Sequence, residues 1–207
     1  MTTLLLATRN PGKRREIEEF LLPGAGRNSP AAFENLRLLS LDDVEAGGEI
    51  AETGSTFAEN ARLKADGYSR LTGLDTLGDD SGLEVQALGG RPGVLSARYA
   101  GAGASDDARI LKLLAEMRGI RDRRARFVSA LCLSRAGSPL ASFRGVVEGE
   151  ILAEKRGAGG FGYDPLFLYP PKGKTFAELP LAEKNMISHR ARALVQVREF
   201  ILQGGLA

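Results

Sequence analysis

The chain has 207 residues, 43% hydrophobic and 26% charged, with a net charge of +2 and a single cysteine. These values suit a water-soluble globular protein with one large domain. They exclude nucleic acid as the main partner, an internal disulfide, and a membrane helix, which needs roughly 20 consecutive apolar residues.

In chain order, Met1 to Leu6 has no charged leader and only a short apolar run, so no signal peptide is expected and the protein is placed in the cytoplasm. Leu4 to Ala7 reads as a buried strand, and Ile17, Phe20 and Leu21 repeat at helical spacing after the interruption Thr8-Arg9-Asn10-Pro11-Gly12-Lys13. Residues 23–35 read as a loop and Leu36 to Leu41 as a strand. Thr56 with Glu59 forms a capping box that opens a helix running towards Leu71. Thr76 to Leu83 contains Asp79-Asp80-Ser81-Gly82, which has the chemistry of a turn at a strand end, and Leu83 to Leu88 follows as another strand. Ser105 caps a helix with Ile110, Leu111, Leu113, Leu114 and Met117 inward. Arg126 to Ser134 and Leu140 to Ala153 form an antiparallel hairpin, with Cys132 as a buried small hydrophobe. The last helix starts near Ser188, with Ala191, Leu194, Val195, Ile201 and Leu202 inward. Interleaved helices and strands with an antiparallel hairpin predict a mixed-sheet α/β fold, and nothing in the composition divides residues 1–207 into separate domains.

Several segments carry candidate chemistry. Asp79 and Asp80 beside a glycine turn suit a hard divalent cation or a proton taken from water, although Asp-Asp-Ser-Gly alone equally describes a polar hairpin turn. The junction Thr8 to Lys13 turns through Asn-Pro-Gly into a helix whose first N–H groups and Lys13 suit phosphate oxygens; it also fits an ordinary capped helix start. Asn60 and Lys64 share a helix face near Glu52, where an acid, an amide and a lysine can take a metal–phosphate group. A solvated lysine is the plainer account of Lys64. Gly157, Gly159 and Gly162 satisfy G-x-G-x-x-G, but Tyr-Asp-Pro follows where a dinucleotide fingerprint requires a helix, so that motif is rejected. The same loop offers Phe161 and Tyr163 as flat rings for a base, with Asp164 beside them, or as core plugs. Lys184, His189 and Arg190 lie at and before the last helix. A lone histidine before a helix is ordinarily structural, but His189 paired with Arg190 also offers several hydrogen-bond donors in a fixed direction. The basic run Arg118, Arg121, Arg123, Arg124 and Arg126 reads as a solvated connection.

Taken together and in order, these segments resemble the inosine triphosphate pyrophosphatase family, which removes non-standard purine nucleotides. The resemblance rests on Ala7 to Lys13, Glu52 to Ala61, Asp79 to Leu83, Leu88 to Gly93, Ser96 to Tyr99, Gly160 to Pro165, Glu183-Lys184 and Ile187 to Arg190. One departure stands out: family members often carry two acids before Thr-Gly, and Ala51 replaces the first. The resemblance implies an elongated, bent mixed sheet flanked by helices, with two lobes and a substrate cleft between them. It implies Mg²⁺ dependence, a homodimer, and hydrolysis of ITP, dITP or XTP to the monophosphate and pyrophosphate. In that picture Thr8, Arg9, Asn10, Pro11, Gly12 and Lys13 cradle the triphosphate, with Asn60 and Lys64 helping. Asp80 is metal ligand and proton acceptor, with Asp79 and Glu52 as further ligands and Ser81 touching substrate. Phe161, Gly162, Tyr163, Asp164, Lys184, His189 and Arg190 hold the base. A general pyrophosphatase of modified nucleotides is the alternative within enzymes. A non-catalytic nucleotide sensor is the alternative outside them, and it would have no use for Asp79 and Asp80 at the phosphates.

Overall fold

A computed structural model describes residues 2–22, 31–44 and 46–206. Its elements are β1 (Thr2–Ala7), α1 (Pro11–Leu21), α2 (Ala31–Glu34), β2 (Leu36–Ser40), α3 (Phe57–Thr72), β3 (Asp75–Val85), α4 (Asp106–Glu116), β4 (Arg124–Arg135), β5 (Ser138–Ile151), β6 (Phe167–Tyr169), β7 (Lys174–Thr175), α5 (Leu181–Ile187) and α6 (His189–Leu202), with short 3₁₀ turns between them. One seven-stranded sheet runs in the order β2-β1-β3-β4-β5-β6-β7. β1 is parallel to β2 and β3, whereas β6 is antiparallel to β5 and β7, so the sheet is mixed as expected. β4 turns into β5 through Ala136 and Gly137, both at positive φ, as a two-residue hairpin demands.

The chain divides into two compact units. The first comprises Met1–Asp80, Ser129–Gly145 and Arg190–Ala207. Here β1 is buried on both faces, which a parallel central strand requires. Leu4 and Leu6, with Leu77 of β3, pack against Ile17 and Leu21 of α1 and Leu194, Val197 and Ile201 of α6. Leu5 and Ala7 face the other way, towards Tyr68 of α3 and Leu41. In the second unit, Ser81–Val128 and Val146–His189, a separate core gathers Leu83, Val85, Ile110, Leu113, Met117, Phe127, Val147, Phe167 and Phe176.

Several sequence expectations need correction. β3 does not turn at Asp79-Asp80-Ser81-Gly82 but runs unbroken to Val85, and Gln86–Leu88 is a 3₁₀ turn rather than strand. The glycines serve close packing instead. A Cβ at Gly78 would stand 2.1 Å from the carbonyl oxygen of Ala61 in α3, and one at Gly82 2.2 Å from Ser96 Oγ. Of the loop expected at 23–35, residues 23–30 lie outside the described residues and Ala31–Glu34 is helical. Leu111, Val195 and Leu202, expected inward, are exposed at the edges of their helices' apolar stripes. The capping box of Thr56 and Glu59, the Ser105 cap, the hairpin and buried Cys132 stand as expected.

Candidate active site

Because β3 continues through positions 79 and 80, its two aspartates point to opposite faces of the sheet. The site is therefore built on two sides of one strand.

On the first side lies a buried ion network. Asp79 Oδ1 accepts from Lys13 Nζ at 2.7 Å, and Asp79 Oδ2 accepts from Arg190 Nε at 2.7 Å. Arg190 Nη1 donates to Glu16 Oε2 in turn. Asp79, Arg190 and Glu16 are all buried, so each charge depends on the others. Burial alone would push the Asp79 carboxyl up, yet Arg190 and Lys13 together hold it far below the usual aspartate range. Burial lowers the Lys13 ammonium, with Lys64 and Arg190 adding to the effect against the pull of Asp79 and Asp80. The preceding junction fixes where Lys13 sits. Asn10 caps α1 by accepting from Lys13 N at 3.0 Å, Pro11 occupies the first turn, and Thr8 Oγ1 accepts from Asn10 N at 3.2 Å. Arg9 turns outward to Asp42, 3.2 Å away.

On the second side, Asn60 of α3 is fully buried and works in both directions. Its Nδ2 donates to Asp80 Oδ2 at 3.1 Å, and its Oδ1 accepts from Gly54 N at 2.8 Å. Lys64, one turn further along α3, puts Nζ 2.6 Å from Glu52 Oε1 and 3.7 Å from Asp80 Oδ1. Burial raises the Asp80 carboxyl above its ordinary value, and Glu52 adds to this; Lys64, Lys13 and the Asn60 hydrogen bond oppose it without cancelling it. Asp80 thus holds a proton more tightly than an ordinary aspartate, while Asp79 holds one far less tightly.

The donor set can be tested against a metal. Mg²⁺ keeps several waters and is typically bound by one or two carboxylates together with substrate phosphates. Asp80 and Glu52, two hard carboxylates joined through Lys64, fit that mode. Asp79 was expected as a third ligand, but its two oxygens are bound by Lys13 and Arg190. No group of three or more acid, histidine or cysteine side chains able to hold a metal gathers among the described residues.

The second unit supplies a different polar set. The loop holding Gly157, Gly159 and Gly162 opens no helix, in keeping with rejection of the dinucleotide motif. Lys184 Nζ of α5 lies 2.5 Å from Asp164 Oδ2 and 4.8 Å from the Phe161 ring centroid. Asp164 also accepts from Phe161 N at 2.9 Å. Both Lys184 and Asp164 are buried, and Phe161 is half-buried. Tyr163, expected as a stacking ring, is a core plug whose hydroxyl donates to Ser96 O at 3.0 Å. His189 stacks on Phe127, with ring centroids 4.7 Å apart and planes 12° apart, and on Phe176 beyond it. Ser81 is half-buried at the point where β3 enters this unit.

Sequence reasoning placed Arg190 with the base residues. Its guanidinium instead joins Asp79 and Glu16. Glu16 was overlooked, although a signal existed: it neighbours Ile17 on the apolar stripe of α1, three residues from Lys13, where a charge calls for a buried partner.

Comparison with known proteins identifies the family of the chain. The profile of the Ham1 family matches residues 4–200. The dITP/XTP pyrophosphatase of Syntrophobacter fumaroxidans is 50% identical over 95% of this chain and 81% of its own length. That of Geobacter sulfurreducens is 47% identical over 97% of each chain. Among solved structures, a Ham1 protein from Coxiella burnetii superposes with a TM-score of 0.85 at 40% identity, covering 98% of this chain and all of that one. The Staphylococcus aureus Ham1 protein gives 0.83 at 38% identity, covering 98% and 99%. The chain belongs to the Ham1 family.

Proposed function

We propose that this protein is a nucleoside triphosphate pyrophosphatase that converts dITP, ITP and XTP to the monophosphate and pyrophosphate. The names of its relatives support the substrate class. One observation carries the chemistry: Asp80 is a buried carboxylate of raised proton affinity, aligned by Asn60 and flanked by Lys64 and Glu52. Such a group is suited to take a proton from a water molecule directed at phosphorus. Lys13 and Lys64 neutralise charge on the phosphate oxygens, and little else is asked of a protein that catalyses phosphoryl transfer. Asp79 keeps Lys13 in place at the head of α1, next to the helix's first N–H groups.

Mg²⁺ is the cofactor we assign. Asp80 and Glu52 would hold it, and when bound it supplies positive charge at the phosphate oxygens. At the base, Lys184 only donates hydrogen bonds, so it favours a purine that presents a carbonyl over one that presents an amino group. Phe161 offers a flat face beside it, and Asp164 and His189 complete the polar set. On the family resemblance we also assign a homodimer acting in the cytoplasm; light scattering of the purified protein tests the dimer.

The deciding experiment is pyrophosphate release from ITP, dITP, XTP, ATP and GTP, with and without Mg²⁺. Metal-dependent release confined to the non-standard purines is expected. Comparable turnover of ATP and GTP would favour a general nucleotide pyrophosphatase. Nucleotide binding without release would end the enzymatic reading.

A further inference from the structure

An acid at the start of a helix is ordinarily explained by the helix dipole. Asp107, in the first turn of α4, needs no other account: its contact with Lys155 Nζ at 2.8 Å is an exposed pair, worth little. Its neighbour Asp106 differs, because both of its carboxylate oxygens are bound. Oδ1 accepts from Arg109 Nη2, and Arg109 Nη1 donates to the carbonyl of Ala97, which anchors the pair. Oδ2 accepts from Gly162 N at 2.7 Å. Gly162 lies between Phe161 and Tyr163, in a loop where Gly160 and Gly162 both sit at positive φ, at 71° and 61°. Glycines at such angles have many alternative conformations, so a loop built on them needs external ties to keep one shape. Tyr163 is tied through its hydroxyl to Ser96, and Phe161 N to Asp164. The bond from Gly162 to Asp106 fixes the backbone between those two points.

We propose that Asp106 is a positioning residue for base recognition, holding the Phe161–Asp164 loop in its binding shape through the Gly162 N–H. This rests on the reading that Phe161, Asp164 and Lys184 take the purine. Asp106 touches neither base nor phosphate in this account; it lowers the ordering cost of binding the base and leaves the chemistry at Asp80 alone.

The test compares Asp106→Ala, Asp106→Asn, Asp107→Ala and Lys184→Met in the full chain, with steady-state kinetics on dITP and competitive inhibition by inorganic tripolyphosphate. A hydrogen bond to a charged group on a partly exposed loop predicts a KM for dITP raised about 3- to 10-fold in Asp106→Ala. Its kcat should stay within about twofold, and its tripolyphosphate inhibition constant should not move, because the phosphate end is intact. Asp106→Asn keeps an acceptor for Gly162 and should recover part of the loss, while Asp107→Ala should match the wild type. An unchanged KM in Asp106→Ala, a parallel loss of kcat and tripolyphosphate affinity, or an Asn variant no better than Ala would each overturn the proposal. Lys184→Met separates the two levels. If it raises KM while Asp106→Ala does not, only this inference fails. If it leaves both KM and purine preference intact, the assignment of the base site fails first.

Discussion

Asp79 and Asp80 are chemically identical neighbours on one strand, yet their surroundings drive them in opposite directions. The α1–α6 side of β3 gives Asp79 two cations, Lys13 and Arg190, and the carboxyl stays ionised far into acid. The α3 side gives Asp80 an amide, a lysine shared with Glu52, and burial, and its carboxyl gains proton affinity. Environments that push two carboxyl groups apart in this way separate their roles. On the function proposed above, Asp79 serves as a counter-charge and Asp80 as the group that exchanges a proton. The strand's alternation creates the difference at no cost in chain length, because one step along β3 crosses from one helix layer to the other.

The largest expected effect falls on Asp80. Asp80→Asn should lower kcat by about 10²–10⁴-fold, the usual range for loss of a general base. Substrate affinity should change much less, and circular dichroism should show the wild-type fold. Turnover near wild type at saturating Mg²⁺ would mean that the two aspartates had been assigned the wrong way round.

For Asp79 the loss should appear in stability. Asp79→Asn takes one counter-charge from buried Arg190 and the paired carboxylate from partly buried Lys13, and breaking a buried pair typically costs about 3–5 kcal/mol. Urea unfolding measures this directly. The sign with pH is fixed by the lowered carboxyl. Its stabilising contribution is complete above the ordinary aspartate value of 3.8 and disappears only as pH falls through the still lower value of the folded state. The gap between wild type and variant should therefore be constant across neutral and mildly acidic pH. A gap that closed between pH 7 and pH 5 would show that Asp79 is not the paired group.

How much of this was visible in the sequence follows from how local each signal is. α3 and α4 announced themselves through Thr56, Glu59 and Ser105, whose cap bonds reach only three residues. β3 was misread because Asp-Asp-Ser-Gly is locally a turn, and only packing against Ala61 and Ser96 reveals why glycines stand there. Residue type alone singled out the candidates for phosphate and base chemistry, and the structure brings Lys13 to Asp79, Asn60 to Asp80, Lys64 to Glu52 and Lys184 to Asp164. Those pairings were not legible in the sequence. Asp79 meets Arg190 across 111 positions of sequence, and no spacing rule joins them. Phe161 and Tyr163 are equivalent as text, whereas in the fold one borders Lys184 and the other fills a core.

Asn60→Ala sharpens the Asp80 side. It removes one donor from Asp80 and one acceptor from Gly54, both in a buried setting, for a cost of about 1–3 kcal/mol in stability. The amide bond favours the ionised Asp80, so its loss should move the acid limb of the pH–rate profile to higher pH. A drop in kcat with an unmoved acid limb would mean that Asn60 acts on substrate rather than on Asp80.

The smallest effect is the most discriminating, because it runs against the usual direction of mutation. The folded state disfavours the ionised form of Asp80, so at neutral pH that charge is a net cost to stability. Asp80→Asn removes the charge and keeps the shape, and should therefore melt slightly above wild type at pH 7, the opposite sign to Asp79→Asn. As pH falls through the raised folded-state value towards 3.8, wild-type Asp80 takes up its proton and the cost disappears. The advantage of the variant should shrink over that interval and vanish below it. Thermal melts of both proteins between pH 7 and pH 4 make the comparison. An Asp80→Asn protein less stable than wild type at pH 7 would place Asp80, like Asp79, among the charges that hold the fold together, and the functional contrast between the two faces of β3 would collapse.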